Sequence, residues 1–423
     1  MAPPLLGRTA RGLPLAGPPR PRSPGFSGPP RMTQAMRWAA ASSTLESTAE
    51  AAAAAGSTAQ AVLGEGPVDL AIAFFTASHV PNAETLAEVL RRELSPGCLI
   101  GASTRGIVTS RHELEADPGL SLLIARLPGV QLHPFVLMNA GWDAAASNVE
   151  EFRRHAPHAA GAELVMLLGD PFSLHVERVL SGFNSFAPGV RVIGGMASAG
   201  MSPHSNALLL NDWVAREGGV ALACSGALRV DVVVSQGCRP VGPPIEVTRV
   251  EQNLLIELDG KPALERAEQV LNGLPDEERE RLASGLYVGR PARGEASARG
   301  DYLIRNLLGA DQERGVIAVG DAIAVGERIR LHVRDAETAR EDLELLLSPQ
   351  PFDSAAASAL LFACNGRGRG LYGAPDGDIA PLQEALGGMI PAAGMFCAGE
   401  IGPVGERNFL HGHTASIAIF RSR

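Results

Sequence analysis

Three stretches of this chain repeat one order: an apolar run with a polar end, a helical stretch, then a second run rich in glycine and small polar residues. The first is Asp69-Leu-Ala-Ile-Ala-Phe-Phe-Thr76, leading to Cys98-Leu-Ile-Gly101-Ala-Ser103-Thr104-Arg105-Gly106. The second is Glu163-Leu-Val-Met-Leu-Leu-Gly-Asp170, leading to Val192-Ile-Gly194-Gly195-Met-Ala-Ser198. The third is Leu361-Phe-Ala-Cys364-Asn365-Gly366-Arg367, leading to Gly394-Met-Phe-Cys397-Ala-Gly-Glu400. Further apolar runs follow at 120–127, at 207–210 with 220–234, and at 414–420. The order predicts a strand–helix–strand unit followed by hairpin strands, used at least three times. Glycines at strand ends let backbone N–H groups approach a ligand, so the loops after the strands are the expected rim of a site. For a single copy, plain strand-end punctuation accounts for the glycines equally well.

Hairpin signals outnumber crossover helices, which predicts an α/β (α+β) fold of mixed, largely antiparallel sheets. A helix is expected over 47–63, capped by Ser47 or Thr48 and rich in alanine. The segment Ser235-Gln-Gly-Cys238-Arg-Pro240-Val-Gly242-Pro243-Pro244 reads as an irregular extended linker. Beyond it, 245–258 alternates and ends in the turn pair Asp259-Gly260, and Lys261-Pro262 opens a helix. Strand-like pieces follow at 285–288, 301–307, 315–319 and 328–333, then a helix over 335–347. These readings give two domains, 46–250 and 251–423, behind a leader over 1–45.

That leader holds six arginines and no acidic residue before Glu46. It reads as a transit peptide or as a start placed upstream of Met32 or Met36, and in either case outside the fold. In a chain of 423 residues, a net charge of -9 and an aromatic share of 4% argue against nucleic acid. No apolar run reaches the ~18 residues a membrane helix needs. Five cysteines without a Cys-x-x-Cys spacing argue against a disulfide framework or thiolate zinc site, and for a reducing cytoplasm.

Candidate chemistry concentrates in the third copy. Arg367 and Glu400 are the ionisable side chains near its strand ends. A guanidinium grips a carboxylate and a carboxylate receives an ammonium, so the two suit a zwitterion. Their pairing with each other is the competing explanation. Asn365 and Gly366 adjoin them, and Ser103, Thr104, Arg105, Asp170 and Ser198 hold the corresponding ends of the other copies. Cys364 and Cys397, near Glu400, His411 and His413, are candidates for a cysteine hydrolase, against a reading as small buried residues. His411-Gly-His413, His79, His175 and His204 are candidate haem or metal ligands, against rim and capping roles. No glycine spacing fits a phosphate loop or dinucleotide fingerprint.

Several of these motifs together resemble the FIST family. They are Cys98 to Gly106, Val192-Ile-Gly194-Gly195, Phe362-Ala-Cys364-Asn-Gly366-Arg367-Gly368, Gly394 to Pro403, and Asn408-Phe-Leu-His411-Gly-His-Thr414. Ser235 to Pro240 and Leu258-Asp-Gly260-Lys-Pro262-Ala look like the joining segments of its N-terminal and C-terminal domains. The resemblance implies an intracellular module that senses small ligands, proposed to be amino acids, and the chain is read as non-enzymatic. It also implies a haem-binding nitric-oxide sensor as one alternative, because some members bind haem. With no room for an output domain or F-box, such a chain is expected to signal through a separately encoded kinase or other signalling protein. A scaffold without a small ligand is the remaining reading. If Arg367 anchors the ligand, its replacement by Ala is expected to abolish binding without unfolding the protein.

Overall fold

The computed structural model describes residues 35–292 and 302–423. The leader expected over 1–45 lies mainly outside the described residues, but its end does not. Strand Arg37–Ser43 pairs antiparallel with Leu120–Arg126 over all seven positions. Trp38 anchors it, buried with its ring stacked on Phe420 at a centroid distance of 4.7 Å. The expectation that everything before 46 stands outside the fold is corrected there. Helix Thr48–Leu63 follows as expected, with the Ser47 side chain accepting from Glu50 N–H and Ala51, Ala52, Ala55, Ala59 and Leu63 buried.

Three of the four sheets among the described residues are built alike. In each, the two strands of a repeat lie parallel, and a later strand returns antiparallel beside the first. Leu70–Phe75 pairs with Cys98–Ser103 and is flanked by Leu120–Arg126. Leu164–Gly169 pairs with Arg191–Met196 and is flanked by Gly219–Gly226. Ser358–Cys364 pairs with Ala392–Cys397 and is flanked by Ala415–Ser422. Apolar residues fill both faces of these parallel pairs, which is why they read as unbroken runs.

The hairpin after each repeat joins a different sheet. Ile107–Val108, from the first copy, adds to Ala392–Cys397 of the third. Leu208–Leu210, from the second, adds to Cys98–Ser103 of the first. Glu400–Val404, from the third, adds to Arg191–Met196 of the second. Where each hairpin arrives, the receiving strand carries a glycine: Gly101, Gly194 or Gly394. A Cβ there would stand 2.2, 1.8 or 2.0 Å from the carbonyl oxygen of Ala73, Leu167 or Leu361. The recurrent glycine is therefore a steric requirement of the parallel pair at that position.

A closed barrel occupies the chain between Cys238 and Arg334. Its six strands run in the order Cys238–Glu251, Arg328–Arg334, Leu286–Pro291, Tyr302–Asp311, Val316–Val319 and Leu254–Leu258, which pairs back onto the first. Val241, Ile245, Leu255, Val288, Ile329 and Leu331 fill it. The irregular linker expected over 235–244 is corrected: Cys238–Glu251 is a strand. Gly242, Pro243 and Pro244 fall in the break of register between Val241 and Ile245, where a strand tolerates residues without ladder bonds. The expected division at 250/251 is corrected too, because it cuts this strand. It would also part Leu228–Ser235 from Ala415–Ser422, with which it pairs along eight residues.

Candidate functional site

The ends of the three parallel pairs meet at a common centre. Ser198 N–H donates to Ser103 O at 3.1 Å, and Ala398 N–H donates to Met196 O at 3.1 Å. The third link runs through a hydroxyl: Arg105 N–H donates to Ser198 Oγ at 3.0 Å, which donates to Phe396 O at 2.6 Å. Thr104 Oγ1 donates to the same carbonyl at 2.7 Å. Ser103, Thr104 and Ser198 are buried and bonded in this ring, and the Arg105 side chain is exposed. The structure brings these four together as the hub of the sheets, with their hydroxyls already used.

Thr76, Asp170 and Cys364 are equivalent. Their N–H groups donate to the returning strands at Gly119 O, Gly218 O and Thr414 O, at 2.9, 2.8 and 2.9 Å. The first two have saturated side chains. Thr76 Oγ1 bonds Asp117 and accepts Gly119 N–H at 2.7 Å. Asp170 accepts from Ser173 Oγ at 2.6 Å, Asn206 Nδ2 at 3.0 Å and Phe172 N–H at 3.2 Å. The predicted site residue Asp170 is thus a turn-forming group. The third end differs. Around Cys364, four buried atoms have no partner among the described residues: Asn365 Oδ1, Glu400 Oε1, His413 Nδ1 and Arg334 Nε. Leaving buried polar atoms unbonded costs about 1–3 kcal/mol each, so a cluster of them marks a place built to bond something else.

Arg367 turns most of its donors to a partner of its own, and only Nη1 reaches the cluster, donating to His413 O at 3.4 Å. Its Nε and Nη2 donate to Asp378 at 2.8 and 2.6 Å, with both side chains fully buried. Tyr372 Oη and Arg367 Nη2 are 2.6 Å apart, and Tyr372 also bonds Asp378 at 2.8 Å. The expected grip of Arg367 on a ligand carboxylate is corrected on that ground, and so is its alternative pairing with Glu400. Behind the pair, Glu113 comes from the hairpin of the first copy. Its Oε1 accepts Asp378 N–H and Ile379 N–H at 2.8 and 2.7 Å. Burial, then the Asp378 charge, pushes its carboxyl up to about 7.

Arg334, the last residue of barrel strand Arg328–Arg334, is the guanidinium that the sequence did not single out. It is 7% exposed and makes no ion pair among the described residues. Its Nη2 donates to Gly366 O at 3.0 Å, and Gly366, having no Cβ, lies directly over it. Cys364 and Asn365 are half-buried and Gly366 is exposed, so the cluster lies just beneath the surface. Glu400 has no exposure, and its Oε2 accepts Thr414 N–H at 3.1 Å. Burial pushes its carboxyl up to about 8, against the Arg367 and Arg334 charges. Burial, then the Glu400 charge, raises the Cys364 thiol to about 11. Asn306 Oδ1 takes the Nε2 proton of His413 at 2.8 Å, which leaves Nδ1 as an acceptor. Burial, then Arg334, lowers that ring to about 4, so it is neutral.

A cleft of about 210 Å³ lies between the barrel and helix Val176–Phe186, and ion pairs already engage its barrel-side charges. Arg290 pairs with Asp321 and Glu327 there, and Arg305 pairs with Asp321.

The FIST N domain model matches residues 69–261 and the FIST C domain model matches 263–403. The chain belongs to the FIST family. FIST domains are sensory domains of signal transduction, and their two matches meet inside the barrel, at the start of helix Ala263–Asn272. An uncharacterized Mycobacterium tuberculosis protein is 36% identical over 389 residues, covering 91% of this FIST chain and 100% of its own. An uncharacterized Mycobacterium bovis protein is 36% identical over 371 residues, 87% of this chain and 94% of its own. A cyanuric acid hydrolase from A. caulinodans shares 10% identity at a TM-score of 0.35, covering 92% of this chain and 100% of its own. A likeness of that size bears on neither ligand nor activity.

The five histidines of this FIST protein that the sequence singles out stand in different settings. His79 is buried with Nδ1 on Thr48 Oγ1 at 3.0 Å, and His411 is buried with Nε2 donating to Gly402 O at 3.0 Å. His175 and His204 are exposed. His413 Nδ1 has no partner among the described residues and lies near the Arg334 charge. Among the described residues no helix is long and apolar enough to cross a membrane.

Proposed function

We propose that this FIST protein is a cytoplasmic sensor that binds a small polar metabolite, an amino acid by class, beneath the Cys364–Gly366 loop. One observation carries the reading: Arg334 is a buried guanidinium without a counter-ion among the described residues, beside three unbonded acceptors. A buried cation is expensive until an anion joins it. A ligand carboxylate supplies that anion, and ligand N–H groups supply donors for Asn365 Oδ1, His413 Nδ1 and Glu400 Oε1. The anion-reading role expected of Arg367 passes to Arg334, while Glu400, Asn365 and Gly366 keep their places.

The signal follows from where these residues sit. Arg334 belongs to the barrel, whereas Asn365 and Glu400 end strands of the three-sheet body. A ligand held by both ties one to the other and favours a single arrangement for a separately encoded partner, a kinase or other signalling protein, to recognise. A binding role without catalysis is favoured by Cys364: a thiol raised to about 11 supplies little thiolate for a hydrolase.

Thermal unfolding against the standard amino acids tests the reading. A binder at a hundred times its Kd adds about 2.7 kcal/mol. The stabilisation should vanish in Arg334→Gln. An unchanged shift in that variant would put the ligand elsewhere, and no shift with any amino acid would favour the scaffold reading.

A further inference from the structure

Glu400 opens strand Glu400–Val404, opposite His411. One carboxyl oxygen accepts from Thr414 N–H, and the other has no partner among the described residues. The ionisable groups around it come from every neighbouring element. Arg334 reaches it from the barrel, Cys364 and Arg367 from the loop of the third copy, and Cys397 from the adjoining strand end. His411 lies opposite in its own hairpin, and His413 lies in the turn that follows. Burial holds both thiols and both imidazoles neutral. Arg367 is neutralised by Asp378. What remains among the described residues is one uncompensated charge, on Arg334, beside a carboxyl that burial keeps in its acid form.

We infer that the site takes up an amino acid by proton exchange: Glu400 surrenders its proton as the ligand's ammonium arrives. This rests on the reading of the site given above. The carboxylic O–H bond of Glu400 breaks, its proton leaves to the buffer, and the ligand keeps its own ammonium protons. Before binding the site carries Arg334 as +1 and Glu400 as neutral. Afterwards the guanidinium faces the ligand carboxylate and the Glu400 carboxylate faces the ligand ammonium, so both pairs are neutral. A ligand with the carboxylate but no amine neutralises Arg334 alone and leaves the Glu400 proton in place. The protein therefore reads amino acids against plain carboxylic acids through one buried proton, and reads them more tightly as pH rises.

The test is calorimetric titration of the full chain in two buffers of different ionisation enthalpy. Each standard amino acid is set beside its desamino counterpart, such as alanine with propionate and aspartate with succinate. The amino acid that binds should release about one proton at pH 7 and bind about tenfold tighter there than at pH 6. Its desamino counterpart should bind with no release and no such trend. In Glu400→Gln, amino-acid binding should be lost while the desamino acid still binds, which also shows that the variant is folded. Amino-acid binding without proton release, at an affinity that does not change with pH, overturns the exchange and leaves the site standing. Failure of every amino acid and every desamino acid to bind overturns the reading of the site itself.

Discussion

Arg367 and Asp378 hold each other in a two-point ion pair, at 2.8 and 2.6 Å, with neither side chain exposed to solvent. They stand eleven positions apart in sequence, and the Glu113 carboxyl caps the backbone at Asp378 and Ile379 from the far side. The pair anchors the loop whose front face, at Asn365 and Gly366, covers the candidate site.

Replacing Arg367 with Ala leaves the Asp378 charge buried without a partner. Stability should fall by about 3–5 kcal/mol, and the double variant with Asp378→Asn should recover part of that. Urea unfolding of the three variants checks this. A full-strength Arg367→Ala fold that merely fails to bind would return the residue to the ligand.

Arg334→Met makes the contrast. Removing a buried cation with no counter-ion should leave stability unchanged or raise it by up to about 2 kcal/mol. Carboxylate binding should disappear. The same urea curves, run beside a binding assay, separate the two arginines.

Stability should also depend on pH in a defined direction. Burial holds Glu400 up to about 8 and Glu113 up to about 7, against an ordinary value of 4.5. The folded chain therefore holds protons that the unfolded chain releases, and stability declines as pH rises through that window. His411 and His413, held near 4 against 6.5, act oppositely but only below 6.5. From pH 6.5 to 8 the urea midpoint should fall, and Glu400→Gln should flatten most of the fall. A midpoint that rises over this range contradicts the assignment.

At the centre of the sheets, Ser198→Ala removes the hydroxyl between Arg105 N–H and Phe396 O. The expected loss is about 1–2 kcal/mol. A combination with Thr104→Val, which removes the other donor to Phe396 O, should cost more than the sum of the two, because both serve one carbonyl.

Gly194→Ala should prevent folding. Its φ is +150°, and the added methyl would stand 1.8 Å from Leu167 O, a clash with backbone that no side chain can relieve. A soluble variant with native circular dichroism would show that the parallel pair can open there.

The three repeats were legible because buried parallel pairs leave unbroken apolar runs and their close approach demands a glycine. Helix Thr48–Leu63 and helix Ala336–Leu347 were legible through their caps at Ser47 and Asp335. Arg367 and Glu400 were rightly placed near the strand ends, but their partners were hidden. Asp378 lies across a short helix, and Glu113 arrives from another copy of the repeat. Arg334 gave no signal, since an arginine ending a barrel strand looks solvated until Gly366 is seen lying over it. The barrel was missed as a unit because its first strand opens in glycine and proline, which the register break absorbs.

The passing of hairpins from first copy to third, third to second and second to first has no terminal member. Deleting any copy would strip one sheet of its outer hairpin and leave another hairpin with no strand to join. Such a ring lets loops vary one at a time, as the saturated ends at Thr76 and Asp170 beside the unbonded cluster at Cys364 show. The number of copies itself is closed to gradual change.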